Sequence, residues 1–182
     1  MKLKDQILVN DGSIKLTQLF NDKLIFFGER HTNKSDTDFV RKMITTLEPD
    51  FVLVEGLADL ELKTKSDKIK ASKKDPESFF HGGLTKWWVD VSLEFDVPFI
   101  GFELTDWSDI KDEKDLVETF KAREEHWIKV IKKYVSTNKH VLVICGDTHL
   151  RTISTPELGQ SSPLYKAFPK ATFIRLENPE IE

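Results

Sequence analysis

The chain has one cysteine, Cys145, in 182 residues, which excludes an intrachain disulfide and fits a reducing compartment. No window approaches the roughly 20 consecutive apolar residues of a membrane-spanning helix. The start, Met1-Lys2-Leu3-Lys4-Asp5-Gln6, lacks a long apolar stretch after its lysines, so no signal peptide is expected. Strong charge of either sign is also missing. The 27 basic and 31 acidic side chains leave a net charge of -4, which gives no pull toward nucleic acid or an anionic membrane. There is no internal repeat and no low-complexity tract. The expectation is a cytoplasmic protein built as a single domain over residues 1–182, large enough to bury a core without staples.

What the sequence does contain is a set of short apolar runs, each ending on a residue able to do chemistry. Leu24-Ile25-Phe26-Phe27 runs into Gly28-Glu29-Arg30-His31, and Phe51-Val52-Leu53-Val54 into Glu55-Gly56. Phe99-Ile100-Gly101-Phe102 runs into Glu103, and Val141-Leu142-Val143-Ile144-Cys145 into Gly146-Asp147-Thr148-His149. Runs of this length, rich in branched and aromatic residues, read as strands buried on both faces. In an open parallel sheet, ligands bind beyond the carboxyl ends of the strands. The same kind of residue therefore stands at the same kind of place four times over.

Between the runs the pattern alternates. A short strand from Gln6 to Val9 precedes an Asn10-Asp11-Gly12 turn, and Lys23 to Phe27 is the first core strand. Asp36 is placed to cap a helix reaching about Leu47, with Val40, Met43, Ile44 and Leu47 on one apolar face. Pro49 stops it, and Asp50 to Glu55 returns as a strand, giving a βαβ unit. A basic insertion at about 57–84, carrying Lys63, Lys65, Lys68, Lys70, Lys73 and Lys74, reads as a mobile, lysine-rich lid before a short helix with Trp87 and Trp88. Pro98 to Phe102 is a third core strand, Asp112 to Val135 a long helix and His140 to Cys145 a fourth strand. Residues 151–168 read as a loop with a helical turn, and Thr172 to Leu176 as a last strand. The fold class is α/β: a central, mostly parallel sheet flanked by helices, with an active pocket at the carboxyl ends of its strands.

Each candidate residue has a plainer reading beside the chemical one. Glu29 and His31, two apart, share a face if the strand continues through them. A carboxylate beside an imidazole can hold a divalent cation or set the histidine to take a proton from water. The plainer alternative is a Glu29–Arg30 ion pair with His31 capping the next helix. Glu55 ends an apolar strand, so its buried charge requires pairing or coordination. Glu103 carries the same ambiguity but is followed by Asp106 and Asp109, which read as a solvated turn. Arg123 is the least expected residue. Leu116, Phe120, Arg123, Trp127, Ile131 and Tyr134 form one helical stripe, which puts a guanidinium on an apolar face. It needs acceptors, and the strand-end carboxylates are available; snorkelling is the alternative. His126 lies off the stripe and reads as surface. His149 follows a glycine turn able to present Asp147 or His149 above the sheet. Cys145 lies within its apolar run and reads as a small hydrophobe rather than a nucleophile paired with His149. His81 reads as a loop residue able to touch substrate, and His140 lies at the wrong end of its strand.

Gly28-Glu29-Arg30-His31 after a strand, Val54-Glu55-Gly56 closing the next, Arg123 in a long helix and Gly146-Asp147-Thr148-His149 after a late strand resemble one superfamily. It contains the erythromycin esterases, the ChaN haem-binding lipoproteins, the TraB/PrgY proteins and the Tiki Wnt-inactivating proteases. The resemblance spans about residues 24 to 151. It implies an α/β fold with a polar pocket at its strand ends, and hydrolytic chemistry in several branches. Glu29 and His31 match the first Glu/His motif, Glu55 the second carboxylate, Arg123 the helical arginine and His149 the last histidine. The tight Glu-x-His spacing resembles the ChaN-like and Tiki-like members and leans away from macrolide esterase activity. Surface haem capture is not expected, because the lipoprotein signal of ChaN-like members is missing.

The leading expectation is therefore a hydrolase acting on an ester, amide or phosphoester of a small-molecule or peptide substrate. His31 or His149 would act as general base, and Glu29 and Glu55 would orient the histidines. Alternatively Glu29, His31, Glu55 and His149 would share a divalent metal (Mn, Co or Zn), while Arg123 stabilises an oxyanion. Glu103, Asp147, His81, Trp87 and Trp88 are expected to contact substrate. The alternative is a non-catalytic module that binds or sequesters a nucleotide-like or haem-like ligand on the same fold.

Overall fold

The apolar runs become the strands expected of them. A computed structural model describes residues 7–9, 12–13, 22–31, 34–105, 113–135, 138–150 and 163–176. In chain order the elements begin with β1 (Ile7–Val9), β2 (Gly12–Ser13), β3 (Leu24–Glu29), α1 (Lys34–Leu47), β4 (Phe51–Val54) and β5 (Glu61–Leu62). Then follow α2 (Lys65–Ser72), α3 (Gly83–Ser92), β6 (Phe99–Gly101), α4 (Glu113–Val135), β7 (Val141–Gly146), α5 (Pro163–Ala167) and β8 (Thr172–Leu176). The architecture is α/β, with a mostly parallel sheet flanked by helices. The chain divides into two compact units, Met1–Glu48 with Leu142–Glu182, and Pro49–Val141.

In the first unit the strand order is β2-β1-β8-β3-β7. β3 and β8 run parallel, with Phe26 opposite Phe173, and β1 adds antiparallel to β8. β3 and β7 are buried along their whole lengths, as their unbroken apolar runs require. The rings of Phe26 and Phe173 stack at 4.8 Å between centroids. Such a pair adds about 0.5–1.5 kcal/mol beyond its buried area. β1 and β2 pair antiparallel, with Val9 opposite Gly12; residues 10 and 11, where the turn is expected, lie outside the described residues. Val40, Met43 and Ile44 form the buried face of α1. Asp36 lies within the first turn of α1 rather than ahead of it, and it is buried, on the same stripe four residues before Val40. The capping role expected of it is replaced by an ion pair with Arg30.

In the second unit β4 and β6 pair in parallel, and β5 adds antiparallel to β6. Residues 57–84, read from sequence as an irregular basic insertion, carry β5 and α2. Two local devices order them. The Thr64 hydroxyl accepts from the Asp67 backbone N–H while the Asp67 carboxylate accepts from the Thr64 N–H, a complete capping box for α2. Lys68, only 2% exposed, donates to the carbonyls of Phe95 at 2.6 Å and Val97 at 2.8 Å, fastening α2 to the segment ahead of β6. Burial pushes its ammonium below the ordinary lysine value, and Asp96 partly opposes that. On α4, Arg123, Trp127 and Ile131 are buried, as the stripe anticipates, and Phe120 and Tyr134 are half-buried.

Candidate functional site

Each unit gathers part of the expected constellation. In the first, Glu29 is the last residue of β3 and His31 lies two beyond it. Glu29 is 3% exposed, whereas the His31 side chain is 44% exposed. The imidazole Nδ1 lies 3.2 Å from Glu29 Oε1. The shared face anticipated for Glu-x-His is therefore present. Arg30 pairs with Asp36. The Arg30 backbone N–H donates to Asp36 Oδ2 at 2.8 Å, Nε to Oδ2 at 3.0 Å and Nη2 to Oδ1 at 2.5 Å. That clamp fixes the backbone between Glu29 and His31.

The turn Asp147–Leu150 follows β7 and packs beside the end of β3. A Cβ on Gly28 would come 2.9 Å from the Asp147 Cα, so glycine is what allows the close approach. His149 is buried at 7% exposure. Asp147 accepts from Arg175 Nε at 2.8 Å and from Arg175 Nη2 at 3.2 Å, so this carboxylate is engaged in a fork-like pair. Cys145 is fully buried in β7, consistent with its reading as a small hydrophobe.

In the second unit the arginine on the apolar stripe finds its acceptors. Arg123 Nη2 donates to Glu55 Oε1 at 2.8 Å and also to Glu103 Oε2, while Nε donates to Glu103 Oε1 at 3.0 Å. The Trp127 indole N–H donates to Glu103 Oε1 at 3.0 Å. All three charged groups are buried, Glu103 most completely at 1% exposure. Burial alone would weaken the guanidinium's hold on its proton. The hydrogen bonds and charge of Glu103, with Glu55 behind them, outweigh that and hold its pKa above the ordinary value. Glu103, which the sequence reading placed ahead of a solvated turn, is instead the principal acceptor of the cluster. The acidic residues that suggested a turn, Asp106 and Asp109, lie outside the described residues.

The remaining expected contacts lie around α3. Trp88 is fully buried, and a Cβ on Gly56 would come 2.5 Å from its Cδ1. Trp87 is half-buried with its ring centroid 5.2 Å from that of Trp88. His81 is half-buried, edge-on to Phe80 at 4.7 Å. His140 is exposed at the amino end of β7 and His126 is half-buried on α4. Among the described residues, no group of three or more His, Cys, Asp or Glu is arranged to hold a metal ion, and no helix is long and apolar enough to cross a membrane.

Sequence reasoning missed the Arg30–Asp36 and Asp147–Arg175 pairs and the anchoring of Lys68. Asp36 gave a signal, because it stands at helical spacing from Val40, Met43 and Ile44, as Arg123 does on its own stripe. Arg175 and Lys68 gave none, since their partners are reached only through the fold.

No family model matches the chain, and no curated protein matches it in sequence. Its fold is similar to that in a solved structure described as cofacial haem binding to ChaN of Campylobacter jejuni. The superposition has a TM-score of 0.54 at 15% identity and covers 100% of this chain and 94% of that one. At that identity the likeness is one of fold, and the fold is ChaN-like.

Proposed function

We propose that the chain is a binding module for a small ligand of the haem class, with His31 at the ligand and Glu29 behind it. The observation that carries this reading is the half-exposed imidazole backed by a buried carboxylate at the end of β3. Histidines that bind metals characteristically give their other ring nitrogen to a carboxylate, which fixes the ring and raises its basicity. The residues therefore fit haem: His31 would supply a nitrogen donor and Glu29 would orient it. Haem, when bound, would supply an iron able to accept a histidine nitrogen. The ChaN-like fold supports the ligand class, because the neighbouring structure is of a haem-binding protein.

The saturation of the second unit's charges supports binding over hydrolysis. Arg123 is already bonded to Glu103 and Glu55, so stabilising a transition-state oxyanion would require breaking a buried ion pair. Hydrolysis stays the second reading on one observation, since a carboxylate-backed histidine is also a fit general base. Native mass spectrometry of protein purified from cells, with a panel of ester, peptide and phosphoester substrates, separates the two. Binding is expected to give a co-purifying ligand and no turnover. Turnover that disappears in His31→Ala would overturn the binding reading.

A further inference from the structure

Glu29 and His31 share a face if β3 runs through both, yet β3 ends at Glu29. Its pairing with β8 closes one residue earlier, at Gly28 opposite Arg175. His31 lies in a turn beyond the strand, and its Nδ1 still stands 3.2 Å from Glu29 Oε1. That distance is at the long edge of the hydrogen-bond range, so a small displacement of either residue loses the contact. The pair therefore depends on what holds the chain just after the strand.

Asp36 does so. The Arg30 N–H belongs to the peptide that joins Glu29 to Arg30, and it donates to Asp36 Oδ2 at 2.8 Å. The Arg30 side chain returns to the same carboxylate, with Nε donating to Oδ2 at 3.0 Å and Nη2 to Oδ1 at 2.5 Å. Backbone and side chain of Arg30 thus close a ring on one carboxylate, which restrains ψ of Glu29, φ of Arg30 and the Arg30 rotamer. A planar guanidinium can make this fork, whereas an ammonium offers a single point of contact. Asp36 is itself fixed. It is 1% exposed, in the first turn of α1, on the stripe that Val40, Met43 and Ile44 bury in the core.

The fold alone does not call for a carboxylate at this place. Well-packed apolar residues in place of a buried ion pair are often neutral or stabilising. The Arg30 side chain is 24% exposed, so a cation that lost its partner would still reach water. What the carboxylate supplies is geometry at the end of β3.

We infer that Asp36 is a positioning residue for the His31 site. It acts through Arg30, holding the peptide after β3 so that Glu29 backs the imidazole, and it thereby sets how tightly and in what orientation His31 takes its ligand. The inference deepens the small-ligand reading and rests on it. It also assigns the middle residue of Glu-x-His, because Arg30 and Asp36 work as one unit.

The test uses Asp36→Leu and Arg30→Lys in the full chain, with two readouts. The first is the nitrogen-15 NMR signal of the His31 ring in the unliganded protein, identified by its loss in His31→Ala. Both variants are expected to shift it, while the signal of His140, in the other unit, stays in place. The second is an absorbance titration with iron protoporphyrin IX. Both variants are expected to bind about tenfold more weakly, with the Soret band moved toward that of His31→Ala. Asp36→Asn, which keeps one acceptor oxygen, is expected to fall between parent and Asp36→Leu. Melting of Asp36→Leu is expected to stay close to the parent's; should it fail to fold, Arg30→Lys carries the test. Variants with the parent's ring signal, affinity and spectrum would overturn the inference. So would a loss of affinity that only tracks a lowered melting point, with ring signal and spectrum unchanged. A parent chain that binds no porphyrin counts against the haem-class reading. The ring signal then decides for the inference if Asp36→Leu moves it, and against it if not.

Discussion

Arg123 shows how much a single residue's spacing can reveal. Its place on an apolar stripe required acceptors, and the carboxylates at the ends of two strand runs were the candidates; Glu55 and Glu103 are its partners. Which of the two dominates was not legible, because Glu103 is buried by the indole of Trp127, brought to it by α4. Arg123→Met leaves two buried carboxylates facing each other, and the expected loss is about 3–5 kcal/mol by chemical denaturation. A loss below about 1 kcal/mol would mean the cluster is solvated like a surface pair. Gly56→Ala forces a methyl group into the Trp88 ring, and thermal or urea unfolding is expected to register about 1–3 kcal/mol of overpacking.

At the scale of elements, periodicity and punctuation were enough for the long pieces. Alternation of apolar runs with amphipathic segments located β3, α1, β4, β6, α4, β7 and β8 to within a residue or two. Pro49 correctly marks the end of α1, where Glu48 takes a left-handed φ of 45. The stretch from Glu61 to Ser72 escaped because its order comes from the capping box and from Lys68 reaching carbonyls 27 and 29 residues away. Neither leaves an apolar period. The segment after α4 is tied to the entrance of β4, where Asp50 accepts from the His140 backbone N–H and from Lys139, both at 2.9 Å. The His140 N–H first, then Lys139, hold the Asp50 carboxyl below its ordinary value of 3.8. A carboxylate so lowered contributes stability at pH above 3.8, and the contribution is lost as pH falls through the folded-state value. In acid titrations followed by circular dichroism, Asp50→Asn should therefore flatten this limb of the stability curve. An unchanged limb would show that the tie does not hold the strand entrance.

At the scale of the whole molecule, an α/β fold was legible from the order of strand, helix and strand, whereas its likeness to ChaN was legible only through the resemblance of the motifs. The ligand was less so. The motifs that suggested hydrolysis are equally the motifs of a binding site, and only side-chain partners distinguish them. Arg123 and Asp147, expected to meet substrate, are engaged with other residues of the protein. His31 is the member of the constellation that combines a buried carboxylate partner with a half-exposed ring. Removing it should therefore affect ligand binding with little effect on folding, whereas removing Arg123 should do the reverse.

The most direct measurement is an absorbance titration of the purified chain with iron protoporphyrin IX, run in parallel on His31→Ala with folding checked by circular dichroism. The account expects a saturable change in the Soret band for the parent chain and at least about tenfold weaker binding, with an altered spectrum, for the variant. A parent chain that gives no saturable change, or a variant that binds with the parent's affinity and spectrum, would contradict it.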